Sequence, residues 1–132
     1  MRKQEFSRKT EDSLIVVPCA IDKNPLALAL DTGASHTTVD LTPLFMSGYG
    51  LNDALRTEKI ETASGIIDAY IFKVKSLTAL GTTKMDFLVC SYDFFAYHYL
   101  TDFDGVIGLD FFNDLKFCVN LKLGIVTTEK IK

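Results

Sequence analysis

The sequence predicts a single, mostly β domain with one or two short helices. Its apolar runs are short, rich in β-branched residues and bounded by turn-forming residues, which is typical of strands. No helical periodicity persists beyond about three turns. The chain has 132 residues, of which 48% are hydrophobic. That is enough apolar material for one core, and too little length for two domains.

The first half of the chain predicts three strands and a loop. Residues 14–21 are rich in β-branched side chains and form the first expected strand. The turn Asp-Lys-Asn-Pro at 22–25 leads into a second strand that ends at Asp31, so these two strands make a hairpin. Residues 36–40 are again β-prone. Residues 41–50 contain a proline and two glycines and predict a loop with one helical turn.

The second half predicts a long hairpin, a buried strand, a short helix and a closing hairpin. Residues 56–63 and 66–77 flank the turn pair Ser64-Gly65, where glycine accepts a positive φ, so they form the long hairpin. The other elements are expected over residues 85–90, 111–115 and 117–128, the last of these around Gly124.

Charge and hydropathy exclude several classes of partner. The net charge is -3, without a basic stripe or a long run of one sign, so neither nucleic acid nor an anionic membrane is indicated. The first residues are too polar for a secretory signal, and the apolar runs are too short to span a bilayer. We therefore expect a cytoplasmic protein.

The cysteines and histidines predict no metal site. Cys19, Cys90 and Cys118 are isolated in apolar settings, which suits reduced core thiols better than a disulfide or a metal site. His36 and His98 lack partners at a spacing that would bind zinc.

The strongest candidate for chemistry is Asp31. The apolar strand 26–30 runs directly into Asp31, Thr32 and Gly33, and no neighbouring residue in the sequence neutralises the acid. An ionised carboxylate is costly to bury unless it is paired or hydrogen-bonded, and such strain tends to mark a functional site. The alternative is an ordinary strand that ends in an Asx turn, for which Asp-Thr-Gly is also well suited.

Three segments together resemble the retropepsin-like aspartic proteases. Residues 30–35, Leu-Asp-Thr-Gly-Ala-Ser, resemble the active-site loop of that family, and Val-Ile-Gly at 106–108 resembles its second loop. Residues 61–66, Glu-Thr-Ala-Ser-Gly-Ile, resemble the tip of its flap hairpin. The likeness covers residues 14–128 and implies a closed β-barrel with a flap hairpin. We expect a polar N-terminal extension, the protease domain and a C-terminal tail, at residues 1–12, 13–128 and 129–132.

The resemblance implies an aspartic endopeptidase that acts as a homodimer. Amide hydrolysis without a metal or a nucleophilic side chain needs one group to take a proton from water and another to protonate the carbonyl oxygen. Two adjacent carboxyls that share one proton can do both. This chain carries one such loop, so Asp31 from each of two subunits would meet across a two-fold axis and hold a water. The substrate would be a peptide or protein, and no cofactor is expected.

The resemblance also assigns roles to the residues after Asp31. Thr32 would hydrogen-bond across the dimer, and Gly33 would let backbone approach both the acid and the substrate. Ala34 stands where pepsin-like enzymes usually carry a serine, which is similar to the viral branch. Ser35 replaces an Asp that binds the substrate backbone in viral members, so its hydroxyl is expected to bind more weakly.

The flap tip and the second loop supply the remaining expected site residues. An extended peptide would bind under the flap as an added strand, with water excluded. Gly108 is expected to have a structural role in the second loop. The further residues expected to contact substrate are Ala63, Ser64, Gly65, Ile66, Val106 and Ile107.

Other acids have ordinary explanations. Asp110 follows Gly108 at the start of the expected short helix, where an acidic N-cap is common. Asp40 is interpreted as a turn or cap residue before Leu41, and Asp102 and Asp104 as solvated loop residues.

A cluster of aromatic residues has three interpretations. It packs in the core and beneath the loop at 91–104, it forms a pocket wall for apolar peptide side chains, or it forms a subunit contact. The cluster consists of Tyr92, Phe94, Phe95, Tyr97, Tyr99, Phe103, Phe111 and Phe112.

The polar ends of the chain leave the mode of dimerisation open. Retroviral members dimerise through interleaved terminal strands, whereas these ends predict poor sheet strands. The dimer would then use another surface, form weakly, or carry flexible tails beyond its pairing strands. Two alternatives to an enzyme follow: a catalytically silent peptide-binding or dimerisation module with the same fold, and an unrelated β-barrel that carries the motif by coincidence.

Overall fold

A computed structural model describes residues 1–62, 65–99 and 101–131 and has the expected mostly β architecture. The strands are β1 (Arg2–Glu5), β2 (Val16–Ile21), β3 (Asn24–Leu30), β4 (Thr38–Asp40), β5 (Arg56–Thr62), β6 (Gly65–Ala79), β7 (Thr82–Tyr92), β8 (Gly105–Ile107), β9 (Leu115–Asn120) and β10 (Ile125–Lys130). The helical elements are α1 (Leu41–Met46) and the two 3-10 turns Leu51–Asp53 and Leu109–Phe112.

Six of these strands close into a barrel. A seven-stranded sheet runs in the order β2-β3-β8-β4-β7-β6-β5, and β2 also pairs with β6. The pairing of β2 with β6 closes the first six strands of this order into the barrel. Strand β5 lies outside it and pairs with β6 alone. The short strand β8 lies between β3 and β4, parallel to the first and antiparallel to the second. This arrangement brings the two loops of the sequence motif side by side.

The first hairpin is tighter than predicted. Asp22 and Lys23 have positive φ values of 49° and 75°, which a two-residue turn of this hand requires. The strands therefore pair directly on either side of these two residues, with Asn24 opposite Ile21. Of the predicted turn at 22–25, the last two residues belong to β3. Asp22 also connects the turn to strand β6, since its Oδ1 accepts the Ser76 amide at 2.9 Å.

The main core fills the barrel, and a smaller cluster lies beside it. The barrel core contains Leu28, Phe72 and Phe111, each fully buried. The smaller cluster consists of Ile67, Ala69, Ile71, Cys90, Tyr92 and Phe94, with Ile60 and Tyr97 packed against it. The predicted aromatic group is thus divided between two places. Phe111 and Phe112 belong to the main core, whereas Phe95 is 79% exposed.

The ends of the chain form a sheet within one copy of the chain. Strand β1 pairs antiparallel with β10, from Arg2 opposite Thr128 to Glu5 opposite Ile125, and β10 pairs with β9. Backbone hydrogen bonds hold the ladder whatever the charge of its outward side chains. Inward residues of β10 anchor it. Thr128 is 2% exposed and donates its hydroxyl to the Leu80 carbonyl at 3.0 Å.

The cysteines occupy two kinds of environment. Burial raises the pKa of the Cys19 thiol to about 12 and that of Cys90 to about 11, which fits the expected inert core thiols. Cys118 is exposed on β9, so its prediction as a core residue is wrong. No helix among the described residues is long and apolar enough to cross a bilayer.

The second short helix starts earlier than predicted. It covers Leu109–Phe112 in place of 111–115 and is a 3-10 turn. The chain leaves it directly into β9 at Leu115, which explains the early end.

Candidate active site

Asp31 lies at the end of β3, where β8 runs parallel to it. Its amide donates to the Ile107 carbonyl at 3.1 Å, continuing the β3–β8 ladder by one residue. The chain then turns sharply, because the Ala34 amide donates to the Asp31 carbonyl at 3.1 Å and the Gly33 amide to Asp31 Oδ1 at 3.0 Å. The Asx turn considered as an alternative is therefore present. It positions the carboxylate while using only one of its oxygens.

Asp31 lines a cavity. Within residues 1–62, 65–99 and 101–131, Oδ2 accepts no hydrogen bond and no cation pairs with the carboxylate. The cavity has a volume of about 480 Å³. Its walls include Asp31, Ala34, Ile60, Tyr92, Phe94, Tyr99 and Val106. One side is aromatic, so Tyr92 and Phe94 act both as small-cluster residues and as a pocket wall, two of the three interpretations of the aromatic group.

A second cavity of about 380 Å³ is also lined by the active-site loop. It shares Gly33, Ala34, Thr38 and Ile60 with the first. Its remaining walls are Ser35, His36, Arg56, Glu58, Ile71, Leu88, Val89 and Cys90. Ile60 lines both cavities, so strand β5 and the active-site loop border each of them.

The polar groups of this second cavity pair with one another. Arg56 Nε lies 2.6 Å from Glu58 Oε1, and the side chains of both remain about half exposed. Ser35 Oγ and His36 Nδ1 share a hydrogen bond of 2.9 Å. The cavity is thus apolar at Ile71 and Leu88 and polar along the edge formed by these two pairs.

The second loop packs tightly against the first. The Leu109 amide donates to the Ala34 carbonyl at 2.8 Å. A Cβ at Gly108 would lie 2.6 Å from the His36 carbonyl carbon and 2.9 Å from Ala34 O. Only glycine permits this approach of two backbones. Gly108 thus occupies the structural position expected from the sequence.

The interpretation of Asp110 as an N-cap is wrong. Gly108 is the N-cap of that 3-10 turn, and Asp110 lies within its first turn. The Asp110 carboxylate instead accepts three hydrogen bonds from Thr37. The Thr37 amide lies 3.0 Å from each oxygen, and the Thr37 hydroxyl lies 2.7 Å from Oδ1. The structural role expected for Asp110 therefore has a different geometry.

The other acids hold the loops around the barrel. Asp104 Oδ2 accepts the Ala27 amide at 2.8 Å, so its prediction as a solvated residue is wrong. Asp40 lies at the N-cap position of α1, as expected, but its side chain accepts the Phe94 amide at 3.1 Å. Asp102 is exposed. Neither Asp40 nor Asp104 lines the cavity beside Asp31.

The expected flap residues lie on the β5–β6 hairpin. Its ladder runs from the Arg56–Ile71 pair to the Thr62–Gly65 pair, and Gly65 has a φ of 117°. Ile66 is 67% exposed. The expected contacts Ala63 and Ser64 lie outside the described residues.

Two expected substrate contacts in the second loop separate in the structure. Val106 lines the cavity beside Asp31. Ile107 is fully buried in the core, and only its carbonyl reaches the active-site loop. This follows from strand alternation, since neighbouring residues of β8 point to opposite faces. Thr32 is exposed at the turn.

Sequence reasoning missed Ile60, Arg56 and Glu58, which line the cavities. Their even spacing along β5 puts them on one face of the hairpin, and this period-two pattern was the available signal.

The sequence model of a family described as aspartyl protease matches residues 17–111, the span from β2 to the second short helix. The chain belongs to the aspartyl protease family. Both motif loops lie within the matched residues. No curated protein matches this aspartyl protease family member.

The fold is that of the retropepsin-like aspartic proteases, as predicted. The crystal structure of a retropepsin-like aspartic protease from Rickettsia conorii matches with a TM-score of 0.69 and 16% sequence identity. The match covers 96% of this chain and 91% of that one. This aspartyl protease family member therefore shares its fold with a protein of about the same length.

Proposed function

We propose that the protein is an aspartic endopeptidase whose active centre forms when two copies each contribute Asp31. The observation that carries this proposal is the placement of the Asp31 carboxylate. It lies at the end of a barrel strand and lines a cavity, and one of its oxygens is held by the Gly33 amide. Membership of the aspartyl protease family supports a protease function in general.

The proposed chemistry needs two carboxylates that share one proton. The ionised member takes a proton from a water held between the pair, and the protonated member gives one to the carbonyl oxygen of the scissile bond. Two adjacent carboxyls resist double ionisation, so the pair titrates as a unit. The motif Asp-Thr-Gly occurs once in the sequence, which is why a second copy is required.

The neighbours of Asp31 are proposed to orient it and the substrate. Gly33 holds one carboxylate oxygen through its amide. Thr32, exposed at the turn, is available to hydrogen-bond to the loop of a second copy. Ala34 and Ser35 line the second cavity and would contact substrate backbone.

The substrate is proposed to be an extended peptide with apolar side chains. The β5–β6 hairpin would act as the flap, and the peptide would add as a strand beneath it. Successive side chains of an extended peptide point in opposite directions. The two cavities that share Ile60 would receive such side chains, with Val106 and the aromatic wall in one of them. Gly65 and Ile66, with Ala63 and Ser64, remain the proposed flap contacts.

The proposal includes a cytoplasmic location and a homodimer without nucleic-acid or membrane partners. The exclusion of nucleic-acid and membrane partners rests on the net charge of -3 and on the lack of a basic stripe in the sequence.

Cleavage of a peptide library between pH 4 and 8 tests the proposal. Wild type at high protein concentration is expected to cut peptides with apolar side chains, whereas Asp31→Asn is inactive and equally stable. Asp102→Asn is the matched control, because Asp102 is an exposed acid of the same size. Light scattering gives the assembly state of each sample.

Cleavage that survives Asp31→Asn would remove Asp31 from the mechanism. A dimer without cleavage under any condition would favour the catalytically silent peptide-binding module. A persistent monomer at high concentration would contradict the shared active centre.

A further inference from the structure

Asp110 is a partly buried carboxylate whose position the proposed chemistry does not explain. Its hydrogen bonds in the described part of the chain all come from Thr37. No cation there pairs with it. It lies outside both cavities that the active-site loop lines. A carboxylate whose hydrogen bonds all come from one residue holds that residue in place.

Thr37 is the donor, and it connects the two motif loops. The residue is fully buried and directly follows the active-site loop. Its hydroxyl donates to Asp110 Oδ1 at 2.7 Å and accepts the Gly108 amide at 3.1 Å. Removing either partner would leave a buried polar group unsatisfied.

The connection continues to Asp31. Gly108 packs against the backbone of His36 and Ala34, and the next amide, that of Leu109, donates to the Ala34 carbonyl. Ala34 closes the turn by donating its own amide to the Asp31 carbonyl at 3.1 Å. A chain of backbone contacts thus runs from the Asp110 carboxylate to the residue that carries the proposed chemistry.

We propose that Asp110 is a positioning residue of the active centre, which acts through Thr37 to hold the turn at Asp31 in its working geometry. This inference rests on the proposed function. Hydrogen bonds to a charged acceptor are shorter and stronger than neutral ones, so a carboxylate holds Thr37 more firmly than a neutral side chain would.

The geometry also explains why an amide would be a poor substitute. The Thr37 amide lies 3.0 Å from both carboxylate oxygens. In Asp110→Asn, one of these oxygens becomes an NH₂ donor that faces the Thr37 N–H. The substitution therefore keeps the shape of the side chain and the bonds at Oδ1, but it replaces the bond at the other oxygen with two donors that face each other.

Asp22→Asn is the matched control. Asp22 accepts one backbone amide, that of Ser76, and the hydroxyls of Ser76 and Tyr49, but it lies at the β2–β3 turn and lines neither cavity. The same substitution there removes comparable bonds without touching the motif loops. Thr37→Val and Thr37→Ser complete the set, since the first loses the hydroxyl and the second keeps it.

Peptide cleavage by these variants tests the positioning role. Asp110→Asn and Thr37→Val are expected to lower kcat per folded molecule by about 10- to 100-fold with little change in KM, because small displacements of reacting groups cost rate. The double variant is expected to lose no more than the worse single one. Asp22→Asn and Thr37→Ser are expected to keep kcat within about twofold of wild type, because the first lies away from the motif loops and the second retains the hydroxyl.

Amide hydrogen exchange gives a readout that needs no substrate. The amides of Ala34 and Leu109 are expected to exchange about tenfold faster in Asp110→Asn than in wild type. The Val126 amide of the terminal sheet is expected to be unchanged. If Asp110→Asn does not fold, Thr37→Val answers both questions, since it leaves the carboxylate in place.

The inference is overturned if Asp110→Asn and Thr37→Val keep wild-type kcat, or if Asp22→Asn loses as much activity as they do. Unchanged exchange at Ala34 and Leu109 overturns it as well. If wild type cleaves no peptide, the proposed function fails, and the exchange rates alone then decide whether Asp110 holds the turn.

Discussion

Gly108→Ala tests the close packing of the two motif loops. The added Cβ would lie 2.6 Å from the His36 carbonyl carbon and 2.7 Å from its oxygen, whereas ordinary contact begins at 3.4 Å. The loops must therefore separate by about 0.8 Å, and both nearest atoms belong to the backbone, so no rotamer change relieves the clash. We expect a loss of about 1–3 kcal/mol in the free energy of unfolding, as in other overpacked interiors.

The displacement acts on the turn that positions Asp31, because Ala34 O also lies 2.9 Å from the added Cβ. A shift approaching 1 Å in a catalytic group costs about 100-fold in rate. Gly108→Ala should therefore lower peptide cleavage by 10- to 100-fold at a temperature where the variant is fully folded, by the same principle.

Urea unfolding and kcat on one peptide substrate measure the two effects. Gly50→Ala is the control, since a Cβ there would meet its nearest neighbour, Asp53 Oδ2, at 3.8 Å. Its expected cost is about 1 kcal/mol or less. If Gly108→Ala is no less stable than Gly50→Ala and retains wild-type kcat, the two loops are not packed as described.

Two further predictions concern the barrel. Leu28→Ala, at a fully buried position of β3, should lower the free energy of unfolding by about 2–5 kcal/mol in urea titration. Leu123→Ala, at a position 67% exposed, should cost under about 0.5 kcal/mol, and equal losses would contradict the assigned core. At pH 8, iodoacetamide should label the exposed Cys118 alone. Burial raises the pKa of Cys19 and Cys90, so their thiolates are scarce until the protein unfolds; labelling of either in the native state would contradict their burial.

Local patterns in the sequence predicted the elements and their order. The strand that leads into Asp31 depends on a local apolar run, and the start of β6 on a glycine with positive φ. The motif at Asp31 was also recognisable, since its turn is closed by amides two and three residues away.

Contacts between distant segments were not predictable in this way. The sequence around Asp104 indicates a solvated residue, but its carboxylate accepts the amide of Ala27 in the distant strand β3. Asp110 is of a residue type that commonly caps helices, and only the folded chain brings it next to Thr37. Sequence pattern describes what a residue can do locally, whereas its partner is decided by the topology of the barrel.

The terminal strands show the same limit. Residues 2–5 are all polar and show no alternation of polar and apolar side chains, so no sequence pattern predicts β1. It pairs with one edge of β10, whose other edge pairs with β9, so its position is set by a segment more than 100 residues away in the sequence.

The most direct test of the central claim is a subunit-mixing experiment. Wild type and Asp31→Asn are unfolded together in urea, refolded and assayed for peptide cleavage. If each active centre needs Asp31 from both copies, random pairing at equal amounts lowers activity per wild-type chain to about half, and a larger excess of the variant lowers it further. Mixing with Asp102→Asn should leave activity per chain unchanged. Activity per wild-type chain that stays constant as Asp31→Asn is added would contradict the shared active centre.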